Sequence, residues 1–228
     1  SIAFDDPDSD PGSRSEVVNK VITGKSCHAS LPQYGVNAIS KAVSEIYSYL
    51  NARSLSHTFV DFYMQKIAET TDGSRIGLDL TDQASGSLTF NTGLLTLNDD
   101  GFEMTIDIRY TVTYSKQYIF DRLLSAAAEY GFQVFTESEM DPLFREPDSD
   151  FVIALLDVFN NVTGESRKPI AIGGGTYARR MPNIVAFGPV FDPLHDAAHQ
   201  ADEYFFEDDL VRCIEIYRNA FIKLDEIV

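Results

Sequence analysis

The chain is poor in basic residues and in cysteine, and each scarcity argues against some classes of function or cellular compartment. Only 18 Lys and Arg stand against 35 Asp and Glu, giving a formal net charge of −17. Because binding of phosphate backbones or anionic lipids requires clustered Lys and Arg, this balance argues against nucleic acid and membrane surfaces as partners. The two cysteines, Cys27 and Cys213, stand far apart in different kinds of segment. We predict reduced thiols and a cytoplasmic protein.

Long apolar runs are also absent, and no stretch approaches the length of a membrane span. The first residues, SIAF followed by acids, have no basic or apolar region of the kind found in signal peptides. The 228 residues are 44% hydrophobic, which is enough for one large domain or two small ones. Residues 1–16 are rich in acids, Pro, Gly and Ser, and they predict a linker or a truncated start.

Residues 17–147 show the periodicities of an α+β fold. Asn37 is a candidate N-cap for the first helix, and Asn98-Asp99-Asp100-Gly101 is a candidate hairpin turn. The order of elements predicts an antiparallel sheet with helices on one face. The predicted strands cover residues 17–23, 88–97, 102–110 and 132–137, and the predicted helices cover 38–50, 58–69 and 115–130.

The segment Glu146-Pro147-Asp148 indicates a boundary, after which the pattern has α/β character. Helices are predicted over residues 151–160 and 207–224, and short strands over residues 170–172 and 184–187. A piece of about eighty residues is marginal as an independent core, so we expect it to need a partner segment.

A histidine stands in a loop punctuated by glycine and proline, GKSCHASLPQYG at residues 24–35. Loops between a strand and a helix often carry ligand-binding residues. The imidazole of His28 can donate a hydrogen bond to a developing oxyanion. The alternative is a loop histidine that bonds only to nearby backbone.

Two other segments carry residue types that suit anionic ligands. Arg109 alternates with core positions on the second hairpin strand, so it shares the outer face with Asp107 and can hold a carboxylate in bidentate fashion. A surface ion pair is the alternative. In GGGTYARR, Gly174, Gly175 and Thr176 allow the backbone to approach a ligand closely. The alternative there is a tight turn, and the Gly-Lys-Ser/Thr ending of a phosphate-binding loop is missing.

Residues 196–203, DAAHQADE, place one imidazole and three carboxylates within about two helical turns. His195 and His199 are four residues apart, as in zinc-binding helices. Because Pro193 lies just upstream and Glu is not at the second position, we retain His199 alone. A hydrolytic zinc site needs three or more protein ligands, so the others must come from elsewhere.

In this order and spacing, the segments resemble the co-catalytic zinc peptidases of the aminoacylase and carboxypeptidase clan, most closely the bacterial dipeptidase V-like branch. The resemblance implies a lid domain over residues 17–147 and the C-terminal part of a catalytic α/β domain over residues 148–228. The matching segments are GKSCHASLPQYGVNAI at 24–39, SGSLTFNTGLL at 85–95, DIRY at 107–110, GGGTYARR at 173–180 and HQADE at 199–203.

The resemblance also implies a role for each candidate residue. His28 would stabilise the tetrahedral intermediate, and Arg109 would hold the C-terminal carboxylate of a short peptide. The turn at residues 174–176 would line the carboxylate end of the substrate. His199 would ligate one of two zinc ions, so zinc is the implied cofactor.

The chain departs from the family pattern in its metal ligands. In the family, a His-x-Asp motif, a Glu-Glu pair and a further Asp come from an upstream half, whereas this chain has no Glu-Glu dipeptide. We therefore expect a dipeptidase fragment that lacks the N-terminal catalytic half, binds zinc poorly and is inactive alone.

Two alternatives stay open. The chain could be a non-catalytic lid or assembly module that self-associates, because an exposed hairpin edge can pair with another chain. It could also be another clan member, such as an aminoacylase or a desuccinylase, since these share the motifs around His28 and His199.

Overall fold

The chain divides into two compact units, Ser1–Glu137 and Ser138–Val228. The division falls before the expected boundary at Glu146-Pro147-Asp148, and the domain limits given above stay predictions. The expected linker at residues 1–16 lies outside the described residues. The computed structural model describes residues 20–98, 101–188, 191 and 202–227.

The first unit mixes helices with antiparallel strand pairs. β1 pairs with β2, and β3 pairs with β4. The mixed class, the three helices and the long hairpin are confirmed, but the described residues form two separate strand pairs rather than one larger sheet. The elements are α1 (Ala38–Asn51), α2 (Thr58–Lys66), β1 (Thr81–Asp82), β2 (Gly86–Ser87), β3 (Thr89–Asn98), β4 (Gly101–Arg109) and α3 (Lys116–Ala128).

Two strand predictions in this unit are wrong for the residues that the structure describes. Residues 20–23 and 132–137 form no strand. A strand requires a neighbour for its backbone N–H and C=O groups, and an apolar pattern alone does not supply one. Phe132 instead packs its ring 5.2 Å from Phe62 and 4.7 Å from Phe102, between centroids. Phe132 therefore contributes to the aromatic core and not to a strand.

A β-bulge at Gly93 divides the long hairpin. Thr92 pairs with Ile106, and Leu94 pairs with Thr105, so Gly93 is the extra residue. Before the bulge the even-numbered residues Phe90 and Thr92 face inward, and after it the odd-numbered residues Leu95 and Leu97 do.

The core of the first unit lies between α1, α2 and the hairpin. Phe59 and Tyr63 of α2 are buried, and the ring of Phe59 lies 4.4 Å from that of Phe102. The Tyr63 hydroxyl is 2.8 Å from Ser40 Oγ on α1, so the one polar atom of this buried ring has a partner. These contacts fix the hairpin on the two helices.

The second unit is built on α4 (Asp150–Thr163) and α5 (Glu207–Asp225). α4 ends at Gly164, whose φ of 72° is the left-handed conformation that glycine adopts without strain. Both helices are as predicted. The buried residues that join them are Leu155, Val158, Phe159, Ile216 and Ala220.

The predicted strands at residues 170–172 and 184–187 are wrong: the described part of this unit contains no strand. Ile170 and Ile172 are exposed, so their β-branched pattern finds neither a pairing strand nor a core there. The expected α/β character is therefore not seen in the described residues. Among those residues, no helix is long and apolar enough to cross a membrane.

Candidate active site

The loop that carries His28 is closed at its base by backbone hydrogen bonds. Lys25 N donates to Val36 O at 2.9 Å, and Val36 N donates to Lys25 O at 3.0 Å. Gly24 is needed at this closure, because a Cβ there would lie 2.3 Å from Val36 O. The short turn Pro32–Tyr34 completes the loop and leads into α1. The chain between residues 25 and 36 is thus a closed loop.

His28 is half-buried and is held by the turn that follows it. Leu31 N donates to His28 O at 2.8 Å. The ring nitrogen Nδ1 lies 2.6 Å from Ser30 Oγ and accepts from Ser30 N at 3.2 Å. One edge of the imidazole is therefore anchored to the loop, and Nε2 is the nitrogen on its other edge.

Asn37 joins the His28 loop to the hairpin. Its Oδ1 accepts from the backbone N–H groups of Ile39 and Ser40 and caps α1, as predicted. Its Nδ2 donates to Thr92 O at 2.8 Å, and it lies 3.5 Å from Asn91 Oδ1. The sequence indicated the cap but not this second contact, which ties the loop to the bulge of β3.

Arg109 lies at the end of β4 and pairs with Asp107 on the same face. Its Nε donates to Asp107 Oδ1 at 3.0 Å and its Nη2 to Oδ2 at 3.4 Å. The cross-strand neighbours of these two residues are Thr89 and Asn91. Asn91 is the cross-strand neighbour of Asp107 and also lies beside Asn37, which follows the His28 loop. Polar residues of β3 therefore lie next to both this loop and the strand that carries Arg109. The guanidinium side chain is 25% exposed, so it is neither buried nor fully solvated.

A carboxylate that the sequence analysis missed supports the segment after β4. Asp82 accepts from Ser85 N at 2.6 Å and Ser85 Oγ at 2.8 Å, and from Thr113 N at 3.1 Å and Thr113 Oγ1 at 2.7 Å. Burial raises the pKa of Asp82, but these four hydrogen bonds outweigh it and hold the pKa well below its ordinary value of 3.8. The local signal was Asp82-x-x-Ser85, because an Asp side chain can accept from a backbone N–H a few residues downstream.

The glycine-rich turn lies in the second unit. Thr176 Oγ1 accepts from Ala178 N at 3.3 Å and caps the short helix Tyr177–Arg180. Neither Gly174 nor Gly175 has a positive φ, and a Cβ on either would make only ordinary contacts, at 3.7 and 3.6 Å. Local backbone conformation therefore does not require glycine at these two positions.

The expected metal ligand His199, like its neighbour His195, lies outside the described residues. Among residues that the structure does describe, no group of three or more His, Cys, Asp or Glu side chains could hold a metal ion. The described side chains by themselves therefore do not form a two-metal centre. Both cysteines are free thiols; Cys27 is exposed and Cys213 is buried.

The chain matches the family model of Peptidase family M20/M25/M40 over residues 16–223. It belongs to this family, as the motif resemblance indicated.

Relatives in two bacteria carry dipeptidase names. The chain is 37% identical over 202 residues to the putative dipeptidase YtjP of Bacillus subtilis (strain 168), covering 88% of this chain and 43% of the relative. It is 31% identical over 204 residues to the putative dipeptidase SH1171 of Staphylococcus haemolyticus, covering 89% and 43%. The chain thus spans less than half the length of these relatives.

Proposed function

We propose that this chain forms the substrate-carboxylate and oxyanion-binding part of a metal-dependent dipeptidase acting on short peptides with a free C-terminal carboxylate. The observation that carries the proposal is Arg109, which already engages a carboxylate with Nε and Nη2 at the end of β4. Family membership supplies the reaction class, and the names of the relatives favour dipeptides over the acylated amino acids of the aminoacylase and desuccinylase alternatives.

Arg109 is proposed as the clamp for the C-terminal carboxylate. A guanidinium carries five N–H donors in a rigid fork, and Asp107 occupies two of them. The ion pair with Asp107 restricts the rotamers of Arg109, and a guanidinium held in this way is preorganised to recognise a planar carboxylate. In this arrangement Asp107 orients the guanidinium of Arg109.

His28 is proposed as the donor that stabilises the oxyanion of the tetrahedral intermediate. Its Nδ1 edge is anchored by Ser30, and Nε2, on the other edge, is the nitrogen proposed to face the oxyanion. A preorganised donor aimed at a developing oxyanion contributes roughly 3–4 kcal/mol to catalysis in hydrolases. His28 performs this role without gaining or losing its own proton.

Gly174, Gly175 and Thr176 are proposed to line the carboxylate end of the substrate. In support, local backbone conformation does not call for glycine at Gly174 and Gly175, so a close approach by a ligand accounts for their small size. His199 is proposed as one zinc ligand. Bound zinc would supply the hydroxide nucleophile.

The test of the proposal uses an extended protein, in which this chain is joined to the part of the Bacillus subtilis relative that the match does not cover. We expect zinc-dependent release of amino acids from a dipeptide. We further expect His199→Ala to abolish it and the matched control His195→Ala to retain most of it. Full activity of His199→Ala would contradict the assignment of the ligand.

We also propose that the 228-residue chain alone is inactive, with its remaining metal ligands and general base lying in sequence equivalent to the rest of its relatives. The proposed compartment is the cytoplasm, where the two thiols stay reduced. Zinc-dependent hydrolysis by the purified chain at a rate close to that of the extended protein would contradict this part of the proposal.

A second candidate function is assembly through self-association. It is favoured by β4, which pairs with no strand but β3 in the described part of the first unit and so presents an outer edge. The outer edge of β3 is partly covered, because Phe90 N donates to Thr71 O and Thr92 O accepts from Asn37 Nδ2. Light scattering tests it with the chain at several concentrations. A monomeric mass throughout would exclude it, and a concentration-dependent dimer would support it.

A further inference from the structure

Ser30 makes two contacts with one nitrogen of His28, and together they determine the protonation of the ring. A backbone N–H can only donate, so Nδ1 must act as the acceptor for Ser30 N at 3.2 Å. The Ser30 hydroxyl lies 2.6 Å from the same nitrogen, so it can donate a second hydrogen bond to Nδ1. A neutral imidazole that accepts at Nδ1 carries its proton at Nε2.

We infer that Ser30 is a positioning residue that holds His28 as the Nε2–H tautomer. The inference rests on the proposed role of His28 as an oxyanion donor. In that role the nitrogen facing the substrate must carry a proton, since the other tautomer would present a lone pair to a negative charge. Ser30 itself does not touch the substrate in this arrangement and acts through His28.

Burial explains why a hydroxyl at this position has a definite partner. Ser30 is only 7% exposed, and a buried hydroxyl is costly unless it is hydrogen-bonded. The loop around it is closed independently by the Lys25–Val36 bridge and by the bond from Leu31 N to His28 O. Removing the hydroxyl therefore leaves the loop in place and takes away one of the two donors to Nδ1, while the backbone N–H of residue 30 remains.

The experiment records ring nitrogen spectra of the ¹⁵N-histidine-labelled 228-residue chain at about pH 8, above the ordinary titration range of histidine. The chain has four histidines, and His28→Gln assigns the signals of interest. We expect Nδ1 of His28 to resonate as an unprotonated acceptor and Nε2 as a protonated donor. A spectrum with Nδ1 protonated overturns the inference without any variant at Ser30.

Variants at Ser30 then test the hydroxyl. In Ser30→Ala we expect the ratio of Nε2–H to Nδ1–H tautomer to fall about fivefold, the ratio that one ordinary hydrogen bond supports. Ser30→Thr keeps the hydroxyl and should restore the original ratio, whereas Ser30→Cys, with a weak donor, should lie between. Ser26→Ala is the matched control, an exposed serine in the same loop, and should change nothing.

The outcomes separate this inference from the proposed function. An unchanged ratio in Ser30→Ala, or a loss that Ser30→Thr does not restore, overturns the positioning role. Both results are read from spectra of the chain alone, so they hold whether or not the extended protein hydrolyses a dipeptide. Failure of hydrolysis with the expected tautomer would count against the proposed function and leave the role of Ser30 intact.

Discussion

Replacing Asp82 with Asn tests the physical account of the segment that follows Arg109. The substitution keeps the shape of the side chain and the acceptor Oδ1, but it places an NH₂ group where Oδ2 accepts from Thr113 N and Oγ1. The Thr113 hydroxyl can rotate to accept a hydrogen bond from this NH₂ group, whereas the backbone N–H of Thr113 can only donate and loses its acceptor. Because hydrogen bonds to charged groups contribute roughly 1.5–3 kcal/mol, we expect a loss of about 2–3 kcal/mol in the free energy of unfolding.

Urea unfolding followed by circular dichroism measures this loss. With a slope of about 2 kcal/mol per molar, the midpoint of the first unit should fall by about 1 M. Asp79→Asn is the matched control, because Asp79 is exposed and the charge change is the same. Equal midpoints for Asp82→Asn and Asp79→Asn would refute the reasoning.

The pH dependence supplies an independent check of the same carboxylate. Its folded pKa lies below its unfolded value of about 3.8, so its ionised form stabilises the folded state. This contribution is fully present above the unfolded pKa and declines as pH falls towards the folded pKa. The stability gap between the unsubstituted chain and Asp82→Asn should therefore be constant from pH 5 to pH 8 and narrower at pH 3. An unchanged gap at pH 3 would refute the assignment.

Two further substitutions test how the His28 loop is held. Asn37→Asp keeps the cap of α1 but loses the donor to Thr92 O, so we expect it to cost about 1–2 kcal/mol in urea unfolding while Asn37→Ala costs more, since it loses the cap as well. Equal costs would contradict the second contact. Gly24→Ala should cost about 1–3 kcal/mol, because its Cβ would meet Val36 O at 2.3 Å. Gly174→Ala, which has room for a Cβ, is the control and should leave stability unchanged.

Local features of the fold could be predicted from the sequence. The cap at Asn37 and the alternating residues of β3 and β4 each act within a few residues, so their patterns predict the structure directly. The bulge at Gly93 was not predicted, although the alternation of apolar residues is interrupted there. The His28 loop was found because its residue types are unusual together.

Non-local pairing could not be predicted in the same way. Residues 170–172 have a strand composition but no strand beside them among the described residues, and sequence pattern does not report the presence of a partner. The contacts of Asp82 with Thr113 and of Asn37 with Thr92 span 31 and 55 residues, so no window of sequence joins them. The role of His199 came only from the resemblance and stays a prediction.

The most direct test of the central claim is the kinetics of Arg109→Lys in the extended protein, on a dipeptide and on the same dipeptide with an amidated C-terminus. Lysine keeps the charge but not the fork, so we expect kcat/KM on the free acid to fall about 10- to 100-fold, the equivalent of roughly 1.4–3 kcal/mol. The slower hydrolysis of the amide should be unaffected. Arg75→Lys, at an exposed ion pair with Glu69, is the matched control and should leave kcat/KM on both substrates unchanged. Unchanged kcat/KM on the free acid, or equal losses on acid and amide, would contradict the claim that Arg109 holds the substrate carboxylate.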